Sequence, residues 1–227
     1  MRISFRHKYV MFDVPKSAST SINLALQHAS ECTLDGNGGV KHMTVADYEE
    51  YLEPFLKKRS GMDIGTLERI AVVREPFDML ASYYKYRRRP GVENASHVDH
   101  SRNTCGVSFS AFLEDICKKE GKRYVVTRPS SFILDPSKKV GIDLLFSFER
   151  LDALAKYLTS KTGQEIEIPR RNVSAQLDIG LVERDLLDRV RNAFEDDFIL
   201  HEAIMHSPHG EPLRVRHHGL AELQEYI

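Results

Sequence analysis

Short apolar runs alternate along this chain with longer stretches in which apolar side chains recur at helical spacing. The runs at 9–12, 67–73 and 144–148 have the length and composition of strands that are buried on both faces. The stretch at 151–162 places its apolar residues on one side and predicts an amphipathic helix. Because such strands alternate with helices, we expect an α/β fold of three layers. Its centre is predicted to be a mainly parallel sheet flanked by helices.

The size and composition of the chain are those of one globular domain. It has 227 residues, of which 41% are hydrophobic and 29% are charged, and this is enough for one sizeable core. We expect a single domain over residues 1–205. The remaining segment, 206–227, begins with a stretch rich in His, Pro and Gly and is predicted to be a loose tail.

Charge, hydropathy and cysteine content narrow the classes of function. The net charge of −1 provides no overall basic field, which argues against a nucleic acid as the partner. The chain has no apolar stretch of about 18 residues, so we expect no insertion into a membrane. Three cysteines without C-x-x-C spacing predict free thiols rather than a zinc site. Together these features favour a cytoplasmic location.

A lysine- and serine-rich segment lies between the first apolar run and the first helical pattern. Residues 14–21 read Val-Pro-Lys-Ser-Ala-Ser-Thr-Ser. Small residues let backbone amides converge on an anion, and a helix start adds unpaired amides and a positive dipole end. The lysine precedes the small residues and no glycine is present, so this is not a Walker A motif. The segment predicts a P-loop-like phosphate site; a capped helix beside a surface lysine is the plainer alternative.

The order of proline, lysine, small residues and hydroxyls resembles the 5′-phosphosulfate loop of the sulfotransferases that use 3′-phosphoadenosine 5′-phosphosulfate (PAPS). The resemblance implies PAPS as the donor, adenosine 3′,5′-bisphosphate (PAP) as the product, and no metal. Lys16 would also act in catalysis, by stabilising charge on the leaving oxygen. The donor-binding loop residues it implies are Pro15, Lys16, Ser17, Ala18, Ser19, Thr20 and Ser21.

A second motif follows the next strand, where Arg74 and Pro76 lie at a predicted helix start and Ser82 lies two turns later. This spacing, Arg-x-Pro-x(5)-Ser, looks like the sulfotransferase motif that binds the 3′-phosphate of the donor. An arginine suits that role because its planar guanidinium pairs bidentately with phosphate. The alternative is an arginine that pairs with its own helix beside an ordinary helix serine. Ligands of such sheets bind beyond the carboxyl ends of the strands, so both motifs are expected at one edge.

His42 lies between the two motifs, in the sequence Val-Lys-His-Met-Thr before a predicted helix. That context resembles the carbohydrate branch of the family, notably the 2-O-sulfotransferases, in which such a histidine is the general base. Imidazole suits this role because its unperturbed pKa lies near neutral pH. Asp13 and Asp47 are the acidic alternatives.

The late basic segment 170–174 resembles a loop that closes over the nucleotide in the family, which implies that Arg170 or Arg171 contacts the donor. The predicted function is therefore transfer of a sulfuryl group to a hydroxyl or amine of a small-molecule or carbohydrate acceptor. Residues 85–89 and 90–107 are expected to border the acceptor. Two other functions stay open: a P-loop kinase or other phosphotransferase, and a non-catalytic nucleotide-binding domain.

Overall fold

The computed structural model describes residues 1–92, 94, 96, 99–135, 137–169, 179–208 and 210–227. Its centre is an open sheet in which six strands are described, in the order β3-β1-β2-β4-β5-β6. The strands are β1 (Arg2–Ser4), β2 (Tyr9–Met11), β3 (Cys32–Thr33), β4 (Glu68–Val73), β5 (Leu144–Ser147) and β6 (Leu213–Arg214). The predicted α/β class is confirmed.

The sheet is only partly parallel, which corrects the expectation of a mainly parallel one. The central strands β2, β4 and β5 run parallel, whereas β1, β3 and β6 join antiparallel. Residues 5–8 alone connect β1 to β2, and this is room for a hairpin but not for a crossover of roughly a dozen residues. The parallel pattern read from the long apolar runs therefore holds only for the three strands that those runs form.

Helices cover both faces of the sheet. They are α1 (Ser19–Ala25), α2 (Gly38–Lys41), α3 (Val45–Asp47), α4 (Glu53–Ser60), α5 (Pro76–Tyr86), α6 (Phe109–Cys117), α7 (Pro129–Ile133), α8 (Leu151–Thr162), α9 (Arg184–Ala193), α10 (Glu195–His206) and α11 (Leu220–Gln224). One face of the sheet packs against α1 and α8, and the other against α3, α10 and α11. A further apolar cluster joins α5, α6 and α9 beside the sheet.

Strand β4 and helix α5 show how the local sequence determines this arrangement. Ile70 and Val72 belong to the core on the α1 and α8 side, whereas Ala71 and Val73 belong to the opposite core. Since side chains alternate along a strand, burial on both faces explains the uninterrupted apolar run. Pro76 then occupies the first turn of α5, where its missing N–H costs no hydrogen bond.

The last part of the chain is ordered by its packing on the rest of the fold. Phe194 leaves helical geometry and so separates α9 from α10. Residues 206–227, predicted to be a loose tail, supply β6 and α11. Leu213, Val215 and Leu223 of this segment are buried in the core.

Within the described ranges, no helix combines the length and apolar character needed to cross a membrane.

Candidate functional site

The carboxyl ends of the three parallel strands meet at one edge of the sheet. Residues 12–18 follow β2, Arg74 directly follows β4, and a short 3-10 turn, Phe148–Arg150, follows β5. This is the edge at which ligands bind in open α/β sheets. The structure therefore places the two predicted donor motifs side by side.

The loop 15–18 has an unusual backbone. Lys16 and Ala18 have positive φ angles of 65° and 61°, a left-handed conformation that is uncommon for residues other than glycine. Helix α1 begins directly afterwards, and Ala18 at its N-cap offers no side chain to the first amides. Because α1 is only seven residues long, its dipole is short. Any anion here depends more on side chains than on the helix.

The amine of Lys16 lies among aromatic rings rather than beside a carboxylate. Its Nζ is 4.1 Å from the ring centroid of Tyr86 and 5.4 Å from that of Tyr83. The lysines that pair with carboxylates in the described chain are Lys41, Lys118, Lys138 and Lys161. Lys16 is not among them, so no carboxylate of the described residues is in direct contact with its charge.

Burial lowers the pKa of the Lys16 amine to about 8, well below its ordinary value of 10.5. Nearby positive charges act in the same direction, and they come from Arg89, Arg74 and Arg87. The carboxylate of Asp99 acts in the opposite direction but does not restore the ordinary value. The surroundings of Lys16 therefore hold an excess of positive charge, which an anionic ligand would neutralise.

The hydroxyls of the loop have different degrees of exposure. Ser17 is only 2% exposed, and its Oγ has no hydrogen-bond partner in the described structure. Ser21 is also buried, Ser19 is half-buried and Thr20 is exposed. A buried hydroxyl without a partner is costly, and a ligand oxygen would relieve that cost. Pro15 and Ala18, the remaining predicted loop residues, are both half-buried.

Arg74 contacts the loop directly. Its Nη1 donates to the backbone oxygen of Lys16 at 3.3 Å, while Nε and Nη2 donate to Asp78 at 3.2 and 2.9 Å. The guanidinium also lies 4.0 Å from the centre of the Phe148 ring. Arg74 is thus held by three neighbouring segments of the chain, with Lys16 as the neighbour from the loop.

The remaining predicted donor contacts are less closely tied to this group. Ser82 lies half-buried on α5, and no contact between it and the loop is found among the described residues. Arg170 and Arg171 lie outside the described residues.

His42 is fixed by the backbone that leads into the loop. Its Nδ1 lies 2.6 Å from the backbone oxygen of Asp13. A carbonyl oxygen only accepts, so Nδ1 must carry the proton and donate. The neutral ring therefore has its lone pair at Nε2, which is the form that a general base requires.

The two acidic alternatives to His42 are already engaged. Asp13 is 1% exposed, and its Oδ2 accepts from the Met1 ammonium and from Asn23. Asp47 closes a capping box with Thr44. These contacts leave His42 as the better-placed base of the three.

Sequence reasoning missed the aromatic surroundings of Lys16 and the anchor of Arg74. Tyr83 and Tyr86 are three residues apart and so share one face of α5, a spacing that is visible in the sequence. Nothing in the sequence indicates that this face meets a lysine 67 residues or more earlier. The basic run 85–89 does border the site, because Arg87 and Arg89 act electrostatically on Lys16.

Two cavities of the described structure lie away from this edge. One, of about 430 Å³, opens near Glu68, Asp143 and Arg216, where β4 and β5 begin rather than end. The other, of about 400 Å³, lies between α6 and α9. No cluster of metal-ligating side chains is found among the described residues. Comparisons with models of protein families, with curated proteins and with solved structures return no match for this chain.

Proposed function

We propose that this chain is a sulfotransferase that transfers a sulfuryl group from PAPS to a hydroxyl or amine acceptor, with carbohydrates among the candidate acceptors. In this proposal β2, the loop 15–18 and α1 form a P-loop-like phosphate-binding unit. Arg74 and Ser82 bind the 3′-phosphate, and His42 is the general base. The roles of Arg170 and Arg171 in donor binding stay predictions.

One observation carries the proposal: a single stretch of backbone, 13–16, joins the predicted base to the predicted donor site. Asp13 accepts a hydrogen bond from His42 at 2.6 Å, and Lys16 accepts one from Arg74 at 3.3 Å. Group transfer requires base, donor and acceptor within a few ångströms of one another. A base and two cations that share four residues of backbone support a site of this kind.

The residues of the loop suit a donor with several negative charges. No carboxylate of the described residues pairs with Lys16, and Arg74, Arg87 and Arg89 add positive charge around it. The unpartnered Oγ of Ser17 offers a donor inside the loop. PAPS, when bound, supplies an activated sulfuryl group together with the 5′- and 3′-phosphates that these residues would hold.

The proposed chemistry assigns one task to each side chain. His42 accepts the proton of the acceptor hydroxyl or amine at Nε2, while its Nδ1–H bond to the Asp13 carbonyl keeps the ring oriented. Lys16, mostly protonated at neutral pH because its pKa is about 8, stabilises negative charge on the leaving oxygen. The hydroxyls of Ser17, Ser19, Thr20 and Ser21 orient the phosphosulfate end. An ammonium group in this position supplies the charge that a divalent ion provides in many kinases.

The test combines binding with transfer. Calorimetry with PAP and with ATP should show a strong preference for PAP, since ATP lacks the 3′-phosphate that Arg74 is proposed to bind. PAPS labelled in its sulfuryl group should then yield a labelled acceptor from a library of sugars, alcohols and amines. His42→Ala should lower that rate by about 10²–10⁴-fold with little change in PAP affinity.

Two other outcomes of these experiments would support the alternative functions. Preference for ATP with phosphate transfer would establish the kinase alternative. Tight PAP binding without transfer to any acceptor would favour a non-catalytic nucleotide-binding domain.

A further inference from the structure

The turn after β5 contacts the Arg74 segment at two points. The ring of Phe148 lies under the Arg74 guanidinium, 4.0 Å from its central carbon. The next residue, Glu149, accepts a hydrogen bond at Oε1 from the backbone N–H of Glu75, at 3.1 Å. Since Glu75 directly follows Arg74, the turn holds both the side chain and the backbone of this part of the chain.

Glu149 is itself held by two other elements. Its Oε2 accepts from the hydroxyl of Ser147 at the end of β5, and lies 3.2 Å from Nε2 of His201 on α10. Burial alone would raise the pKa of Glu149, but hydrogen bonds from His201 and Ser147 outweigh it and lower the pKa to about 2. An ionised carboxylate only accepts, so His201 donates from Nε2. His201 is 9% exposed and therefore has little freedom to turn away.

These contacts form a continuous connection from α10 to the donor site. His201 bonds to Glu149, Glu149 bonds to the backbone after Arg74, and Arg74 bonds to the backbone of Lys16. The other support of the Arg74 side chain, Asp78, is half-exposed and lies on the same helix start. The connection through Glu149 adds hydrogen bonds between the Arg74 segment and α10, beside the ring contact of Phe77 with Phe198.

We propose that His201 and Glu149 are positioning residues that hold Arg74 in place for the 3′-phosphate of the donor. The inference rests on the proposed function for the identity of the ligand, but the positioning of Arg74 can be measured without it. Neither residue touches the ligand in this proposal. Their effect is specific to the part of the binding energy that the 3′-phosphate contributes.

The binding experiment compares PAP with adenosine 5′-monophosphate, which lacks the 3′-phosphate. His201→Leu should weaken PAP binding about threefold to tenfold, the usual worth of one hydrogen bond, and leave the monophosphate almost unaffected. His201→Gln retains an amide donor and should restore most of the PAP affinity. Glu149→Gln should resemble His201→Leu, because it removes the charge that the histidine contacts.

His206 provides a matched control on the same helix. It is exposed, and its Nδ1 bonds to the backbone oxygen of Glu202 one turn earlier. His206→Leu should therefore leave the ratio of the two affinities unchanged. Equal weakening of both nucleotides by His201→Leu, or no weakening of either, would overturn the positioning role.

A second measurement decides the positioning role whatever the protein binds. The Nε–H resonance of Arg74, assigned by its loss in Arg74→Lys, should shift in His201→Leu and stay in place in His206→Leu. If the unmodified protein fails to bind PAP, the proposed function is wrong, and this resonance still tests the connection. An unmoved Arg74 resonance in a folded His201→Leu protein would refute the connection itself.

Discussion

Strand β4 has an arginine near its start and another directly after its end, and their surroundings are opposite in character. Arg69 is 3% exposed and donates to Glu49, to Glu53 at 2.9 Å and to the Gly141 backbone oxygen at 3.1 Å. Its charge faces two carboxylates. Among the described residues, Arg74 has Asp78 as its single carboxylate contact, and Lys16, another cation, lies nearby.

The difference distinguishes an arginine that is paired within the fold from one that we propose binds a ligand. Removal of a buried arginine that is fully paired destabilises the fold, because it leaves the carboxylates without a partner. Cations that gather without compensating carboxylates repel one another and weaken the fold. Such an arrangement is expected where a ligand brings the missing negative charge, as at the edge with Lys16 and Arg74.

The largest expected effect concerns Lys16. Lys16→Ala should lower the rate of sulfuryl transfer by at least about 10²–10³-fold, because it removes the charge that stabilises the leaving oxygen. Lys57→Ala, an exposed lysine on α4, is the control and should transfer at the normal rate. Turnover near that of the unmodified protein in Lys16→Ala would refute the proposed catalytic role of Lys16.

Substitution of the two arginines should have effects of intermediate size, on stability for Arg69 and on PAP binding for Arg74. Arg69→Ala should lower the free energy of unfolding by about 2–3 kcal/mol, the cost of lost hydrogen bonds to charged groups, without changing PAP affinity in the folded fraction. Arg74→Ala should weaken PAP binding about tenfold to a hundredfold. Its loss of unfolding free energy should stay within about 1 kcal/mol, because the Asp78 pair is half-exposed.

Chemical denaturation and calorimetry on the same two proteins measure both quantities. A comparable loss of stability in both variants, with PAP affinity intact, would remove the distinction between the two ends of β4.

The smallest effect is a pH dependence that follows from Lys16. Below pH 8 the amine is charged with or without ligand, so it adds no pH dependence to PAP affinity. A bound polyanion raises its pKa again, so above pH 8 binding requires uptake of a proton. Affinity should therefore fall as pH rises from 8 to 9, by at most about tenfold.

Calorimetry in buffers of different ionisation enthalpy would detect this proton uptake at pH 9. Lys16→Met should abolish it, whereas Lys57→Met should retain it. Uptake that persists in Lys16→Met would assign the proton to another group.

The fold was predictable where the pattern was long. The run that forms β4, followed by Pro76, specified a buried strand and a helix start that the structure confirms. The strands that join antiparallel, β1, β3 and β6, have two or three residues each, too few to show a period of two. Their pairing depends on tertiary contacts, and so does the antiparallel part of the sheet.

The site was predictable as far as topology determines it. Lys16 and Arg74 follow neighbouring parallel strands, and the rule for such edges brings them together. The contact of Lys16 with Tyr86 and that of Glu149 with Glu75 join residues about 70 positions apart. No local pattern encodes such pairs, because they arise from how α5 and the turn after β5 pack.

The bond between His42 and the loop has an evolutionary consequence. The acceptor of its Nδ1 proton is the main-chain oxygen of Asp13, which every amino acid at that position would also supply. Substitutions at position 13 can therefore change the buried carboxylate and its partners while the orientation of the His42 ring stays the same. The helices and loops around a bound acceptor substrate can vary in sequence as long as the path of the backbone into the loop 15–18 is kept.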